Sequence, residues 1–130
     1  MSWRIIVDED VRDWLHGIRR TDKETLHLVS AAIDVPALRG PALGRPLVDT
    51  IRGSNLPNLK ELRPGSSGSS EVRILFAFDP ERQAVLLVGG DKSGDWNAWY
   101  EKVIPIAEER YYKHLQSSEG HSEKKGRRSR

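Results

Sequence analysis

Apolar and polar residues along this chain follow two periods, and the switches between them mark its elements. Trp3, Ile5 and Val7 share one side of a β-prone run, which predicts a first strand or an extended lead-in. Asp8 stands where a helix N-cap is wanted, with Glu9 and Asp10 at the positive end of the helix dipole. Val11, Trp14, Leu15 and Ile18 then recur at helical spacing, and Arg19 and Arg20 close that helix. Thr21-Asp22-Lys23-Glu24 has capping-box form with threonine at the cap, and Leu26, Val29, Ala32 and Ile33 supply a second apolar stripe. Pro36 pushes its predecessor out of the α region, so this helix is expected to end before it. The two helices form an antiparallel hairpin that must dock on a sheet.

Ala37 to Pro57 is punctuated by Gly40, Pro41, Gly44, Pro46, Gly53 and Pro57, a long surface connection with a short strand near Leu47-Val48. It is either a linker or, as long ordered loops often are, a binding surface. Leu59 to Arg63 reads as a half-exposed strand, although Leu59 and Leu62 break a clean period of two. Pro64 to Ser70 is a flexible loop. In the next strand Val72, Ile74, Phe76 and Phe78 face the helices, and Arg73, Leu75 and Ala77 face away. Asp79-Pro80-Glu81-Arg82 is a turn with proline at its second position. Ala84 to Val88 is almost continuously apolar, which suits a central strand.

Asp95 caps a last helix beginning at Trp96, with Trp99, Val103, Ile106 and Arg110 on one stripe and Ile104, Ala107 and Tyr111 beside it. Pro105 should kink this helix or restart it. The order strand, helix, helix, strand, strand, strand, helix is that of an α+β domain. It implies a small, mainly antiparallel sheet with helices packed on one side.

Composition narrows the chemistry. The 130 residues suffice for one domain, placed at 1–116. No cysteine is present, which removes disulfides, thiolate nucleophiles and cysteine-ligated zinc. No apolar run is long enough to span a membrane and MSWRIIVDED has no signal-peptide pattern, so a cytoplasmic protein is expected. Net charge is +2, but residues 117–130 hold five basic against two acidic residues. This basic tail lacks apolar residues and should be disordered, serving either solubility or sequence-independent attraction to nucleic acid.

His16, His27, His114 and His121 are scattered and form no metal-ligand cluster, and there is no P-loop and no glycine-flanked nucleophilic serine at a strand-to-helix turn. What remains is a set of cations carried on strands: Lys60, Arg63, Arg73 and Lys92. On neighbouring strands they can converge, bind phosphate and stabilise the charge of a pentacoordinate phosphorane. Trp96, Trp99 and Tyr100 could stack on unpaired bases, although Trp99 at helical spacing with Val103 also suits the core. Lys60 and Arg63 could equally pair with Glu61, Glu71 or Asp91 at the surface.

LKELR, then RILFAFDPERQAVLLVGGDKSG, then IPIAEERYYKHL resembles the phage-derived (Gp49-like) branch of the RelE/HigB toxin superfamily, over about residues 3 to 116. The resemblance implies a RelE-like small twisted antiparallel sheet with two N-terminal helices and a C-terminal helix. It also implies a type II toxin: a ribosome-dependent endonuclease in which the mRNA 2′-hydroxyl attacks the adjacent phosphate, with no metal or other cofactor. Its expected partners are mRNA on the ribosome and a helix-turn-helix antitoxin, in a toxin–antitoxin hetero-oligomer. By position, Lys60, Arg63, Arg73 and Lys92 match the family's basic catalytic set. Arg73 and Lys92 fall to the scissile phosphate and Lys60 is a candidate general base. Trp96, Tyr100 and Asp91 are the candidate RNA contacts. Two alternatives share the fold: a ParE-like gyrase inhibitor, and a non-catalytic protein that only binds its partner.

Overall fold

The computed structural model describes residues 3–65, 71–92 and 94–128. Its elements are β1 (Arg4–Val7), α1 (Glu9–Thr21), α2 (Lys23–Arg39), a 3₁₀ turn at Gly40–Ala42, β2 (Val48–Thr50), β3 (Lys60–Leu62), β4 (Val72–Phe78), β5 (Gln83–Asp91) and α3 (Trp96–Arg128). The strands lie in the order β1-β5-β4-β3-β2. β1 runs parallel to β5 at one edge, and the other pairs are antiparallel.

Helices cover both faces of the sheet, not one. Val11, Val29 and Ala32 of the helical hairpin pack on Leu62, Val72, Ile74, Phe76, Ala84 and Leu86. Val103 and Ala107 of α3 pack on Leu75, Ala77, Val85, Leu87 and Val88. The reason is area: β4 and β5 are apolar on both sides, and each bare Leu or Val would forfeit ~1.5–3 kcal/mol of burial. This also explains Leu59 and Leu62, which are both fully buried, one under α3 and the other under the hairpin. Leu75 pairs with Val88 but Phe76 pairs with Leu86, so Leu87 is the extra residue of a β-bulge and lies with Val88 on the α3 face.

Three local expectations are corrected. Asp22, not Thr21, caps α2, accepting from the Thr25 amide at 3.0 Å. Thr21 is the last residue of α1, and a one-residue joint lets Asp22 end one helix and start the next. α2 runs through Pro36 to Arg39: the ring is fully buried, and packing there offsets the missing amide donor and the crowding of the carbonyl four residues back. At Pro105, where a kink or a restart is expected, α3 does not restart but continues; the proline is exposed, so water can satisfy the carbonyl that loses its partner. α3 also reaches Arg128, within the stretch for which no order was expected. The flexible loop expected at Pro64 to Ser70 lies outside the described residues from position 66 on.

Candidate active site

Strand alternation decides which side chains can meet. On β3, Lys60 pairs with Phe76 and Leu62 with Ile74, all on the hairpin face. Glu61 therefore points to the α3 face, as does Arg73 one residue before Ile74 on β4. The two meet: Arg73 Nε lies 2.9 Å from Glu61 Oε1, with both side chains largely buried. Arg73 Nη1 donates to the Val72 carbonyl at 2.8 Å. The Nε hydrogen is poorly aimed at the carboxylate, so this buried donor has a charge partner without a well-formed hydrogen bond.

The first turns of α3 lie over this pair. Tyr100 donates its hydroxyl to the same Glu61 Oε1 at 2.7 Å. Burial, then this bond to a carboxylate, pushes the phenol well above its ordinary value, while Arg73 and Arg63 pull the other way. Tyr100 is thus a locked donor, and Arg63 belongs to the same electrostatic neighbourhood. Trp99 packs edge-to-face on Tyr100, with ring centroids 5.0 Å apart, and lies against Gly90, where a Cβ would fall 2.8 Å from the indole nitrogen. It is core. Trp96, by contrast, is 52% exposed. Its ring meets Tyr100 at 6.2 Å on one side, and Lys92 stands 5.7 Å from its centroid. Lys92 also pairs with Glu71 at 3.4 Å.

Arg73 and Arg63 both act electrostatically on the Tyr100 hydroxyl, and Lys92 stands beside Trp96, whose ring meets Tyr100. Lys60 is carried to the opposite face by its register, which removes it from reach of Arg73 and from the role of base. Asp91 is also misplaced: it pairs with Val72, accepts from the Glu71 amide at 2.9 Å, and lines a hollow with Trp14 and Ile18 on the hairpin side.

Sequence reasoning missed the acid at the centre. Glu61 appeared only as a surface ion-pair partner. The signal was available: one acidic and one basic residue on the same face of adjacent strands, at a level where the neighbouring strand has glycine. It also missed the groove. Two hollows of about 290 and 460 Å³ share Arg52, Asn97, Tyr100 and Ile104, and so form one channel between the β2–β3 loop and α3. Glu61 and Trp96 line its inner end and Glu108 its outer end. Part of the proline- and glycine-rich connection, at Arg52 to Asn55, is thus a groove wall. Among the described residues no group of three or more His, Asp or Glu is placed to hold a metal ion. Among them, too, no helix is long and apolar enough to cross a membrane.

Comparison with known proteins gives consistent results. Residues 16–112 match the family model described as phage-derived protein Gp49-like (DUF891). Two Mycobacterium tuberculosis proteins bearing the toxin names HigB2 and HigB3 are 52% and 47% identical, over 94% and 89% of this chain. The chain spans 59% of the length of the first and 96% of the second. A solved structure of a double-arginine mutant of the E. coli toxin RelE in its free state superposes with a TM-score of 0.56. It covers 79% of this chain and 96% of that one, at 14% identity, and so shows a shared fold.

Proposed function

Because the chain belongs to the phage-derived Gp49-like family, we propose that it is the toxin of a type II toxin–antitoxin pair and cleaves mRNA on the ribosome. The observation that carries this reading is the Glu61 carboxylate, set between Arg73 and Tyr100 at the inner end of an open groove. RNA can cleave itself if a base takes the 2′-hydroxyl proton and cations hold the phosphate. Glu61 is the base in this reading. The 2′-oxygen forms a bond to phosphorus, the bond from phosphorus to the 5′-oxygen breaks, and a 2′,3′-cyclic phosphate and a 5′-hydroxyl result. Arg73, with Arg63 and Lys92 around it, stabilises the charge that builds on the phosphorane oxygens. Tyr100 passes its proton to the departing 5′-oxygen and recovers one from protonated Glu61, so the proton count closes. The exposed Trp96 offers a stacking surface for an unpaired base.

The activity belongs in the cytoplasm, where the ribosome presents the message. A helix-turn-helix antitoxin would neutralise the protein in a hetero-oligomer, and the relatives' toxin names support such a partner. The test is induced expression in a bacterial host, followed by primer extension on a reporter message. New 5′ ends confined to translated message are expected. Growth arrest without them would move the target to gyrase or another protein, and folded protein that does neither would leave only partner binding.

A further inference from the structure

We propose that the outer groove, between the β2–β3 loop and α3, receives the nucleobase beside the scissile phosphate, and that Asn97 and Asn55 select it. This rests on the reading of the chain as an RNA-cleaving toxin. The groove is continuous with the Glu61 end through Tyr100 and Asn97, so an RNA strand held at the Glu61 end can extend a neighbouring base into it. Its volume of about 460 Å³ is that of a small-molecule site. The lining suits a base edge. A carboxamide presents a donor and an acceptor side by side, and Asn97 and Asn55 bring one from each wall. Glu101 and Glu108 make the outer rim acidic, which repels a phosphate but accepts hydrogen bonds from exocyclic amino groups.

One carboxylate holds the loop wall in place. Glu108 Oε2 accepts from the Ser54 hydroxyl at 2.7 Å and from the Asn55 amide at 2.6 Å, and Ser54 Oγ in turn accepts from the Leu56 amide at 3.0 Å. Glu108 is thus a positioning residue: it fixes the backbone that carries Asn55 and touches no reacting atom.

The test uses the full chain on ribosomes programmed with a message in which each base of one codon is varied in turn. Wild-type protein should favour one base at one position. Asn97→Ala and Asn55→Ala alter exposed residues and should each lower the ratio of cleavage at the best and worst base by about fivefold or more. Glu108→Ala should lower the same ratio, and Glu108→Gln, which keeps an acceptor oxygen, should restore most of it. An unchanged ratio in both asparagine variants would overturn the proposal, as would an equal loss at every codon. Retained base preference with lost neutralisation by the antitoxin would assign the groove to a protein partner instead. A wild-type protein that cuts no message at all would remove the nuclease reading itself, and this inference with it.

Discussion

The two ends of β4 carry the same kind of chemistry in opposite states. At the far end Asp79 is 1% exposed as a side chain. It accepts from the Gln83 amide at 3.0 Å, the Glu81 amide at 2.9 Å and the Gln83 carboxamide at 2.6 Å, and lies 2.7 Å from His114 of α3. At the near end Glu61 meets Tyr100 of α3 and Arg73. Both sites pair a carboxyl group on or beside the sheet with a side chain from α3, and both raise a tyrosine by burial first and a neighbouring carboxylate second. Yet Asp79 has its oxygens engaged from four sides, whereas Arg73 keeps a buried donor without a well-formed bond, and its partner Glu61 lines an open groove. A fully satisfied polar network specifies a fold; an under-satisfied one next to a cleft is poised for a ligand. A hollow lined by His114 also opens at the Asp79 end, so it is the bonding that separates the two: in the proposed reading the Asp79 end is the clasp and the Glu61 end the site.

The comparison breaks most visibly if each end is emptied in turn. Asp79→Ala removes the acceptor of four contacts and should cost about 3–5 kcal/mol of stability, read by urea unfolding. Its toxicity per folded molecule should stay near wild type. Arg73→Ala should act the other way: cleavage falls by roughly 10²–10³-fold while the near-ultraviolet circular dichroism of the folded protein persists. Matching profiles for the two variants, each losing stability and activity together, would show that both ends are clasps.

A smaller effect separates the two faces of the sheet. Gly89 lies against Trp14 on the hairpin face, and a Cβ there would overlap the indole ring. Gly89→Ala should therefore cost ~1–3 kcal/mol through overpacking, with cleavage per folded molecule retained. Gly90→Ala presses on Trp99, the ring that backs Tyr100, so it should lower cleavage more than stability. Comparing unfolding midpoints with primer-extension rates for the two variants decides this. Equal ratios would mean that Trp99 does not position Tyr100.

Much of this was legible in the residues. The strand alternation of Val72 to Phe78 predicted which side chains face the hairpin, and the capped apolar stripes predicted all three helices. Strand alternation alone puts Arg73 on the face away from the hairpin, where it meets Glu61. What failed has common physical causes. Pro36 and Pro105 read locally as helix breakers, but the apolar faces of α2 and α3 that pack on the sheet outweigh the local cost of a proline. The placement of helices on one face overlooked that Leu75, Val85 and Leu87 also need cover. Lys60 was assigned by its place along the chain, and a one-residue difference in register sends a side chain to the other face. Glu61, the residue that register puts on the α3 face in its stead, reads in the sequence only as a surface ion-pair partner.

The smallest expected effect sharpens the comparison through pH. Hydrogen bonds from His114, Gln83 and Glu81 outweigh burial and hold the Asp79 carboxyl below its ordinary value of 3.8. The unfolded chain therefore takes up this proton at a higher pH than the native protein does. The stabilisation is fully present above the unfolded value and is lost as pH falls through the native one, so it disappears in the window below about pH 4. For a single proton the slope cannot exceed about 1.4 kcal/mol per pH unit. Urea midpoints measured from pH 6 down to pH 2.5 should fall more steeply for wild type than for Asp79→Asn, which removes the titrating group and keeps the shape. Parallel acid limbs would mean that the clasp draws nothing from the charge of Asp79. The two ends of β4 would then differ only in what opens beside them.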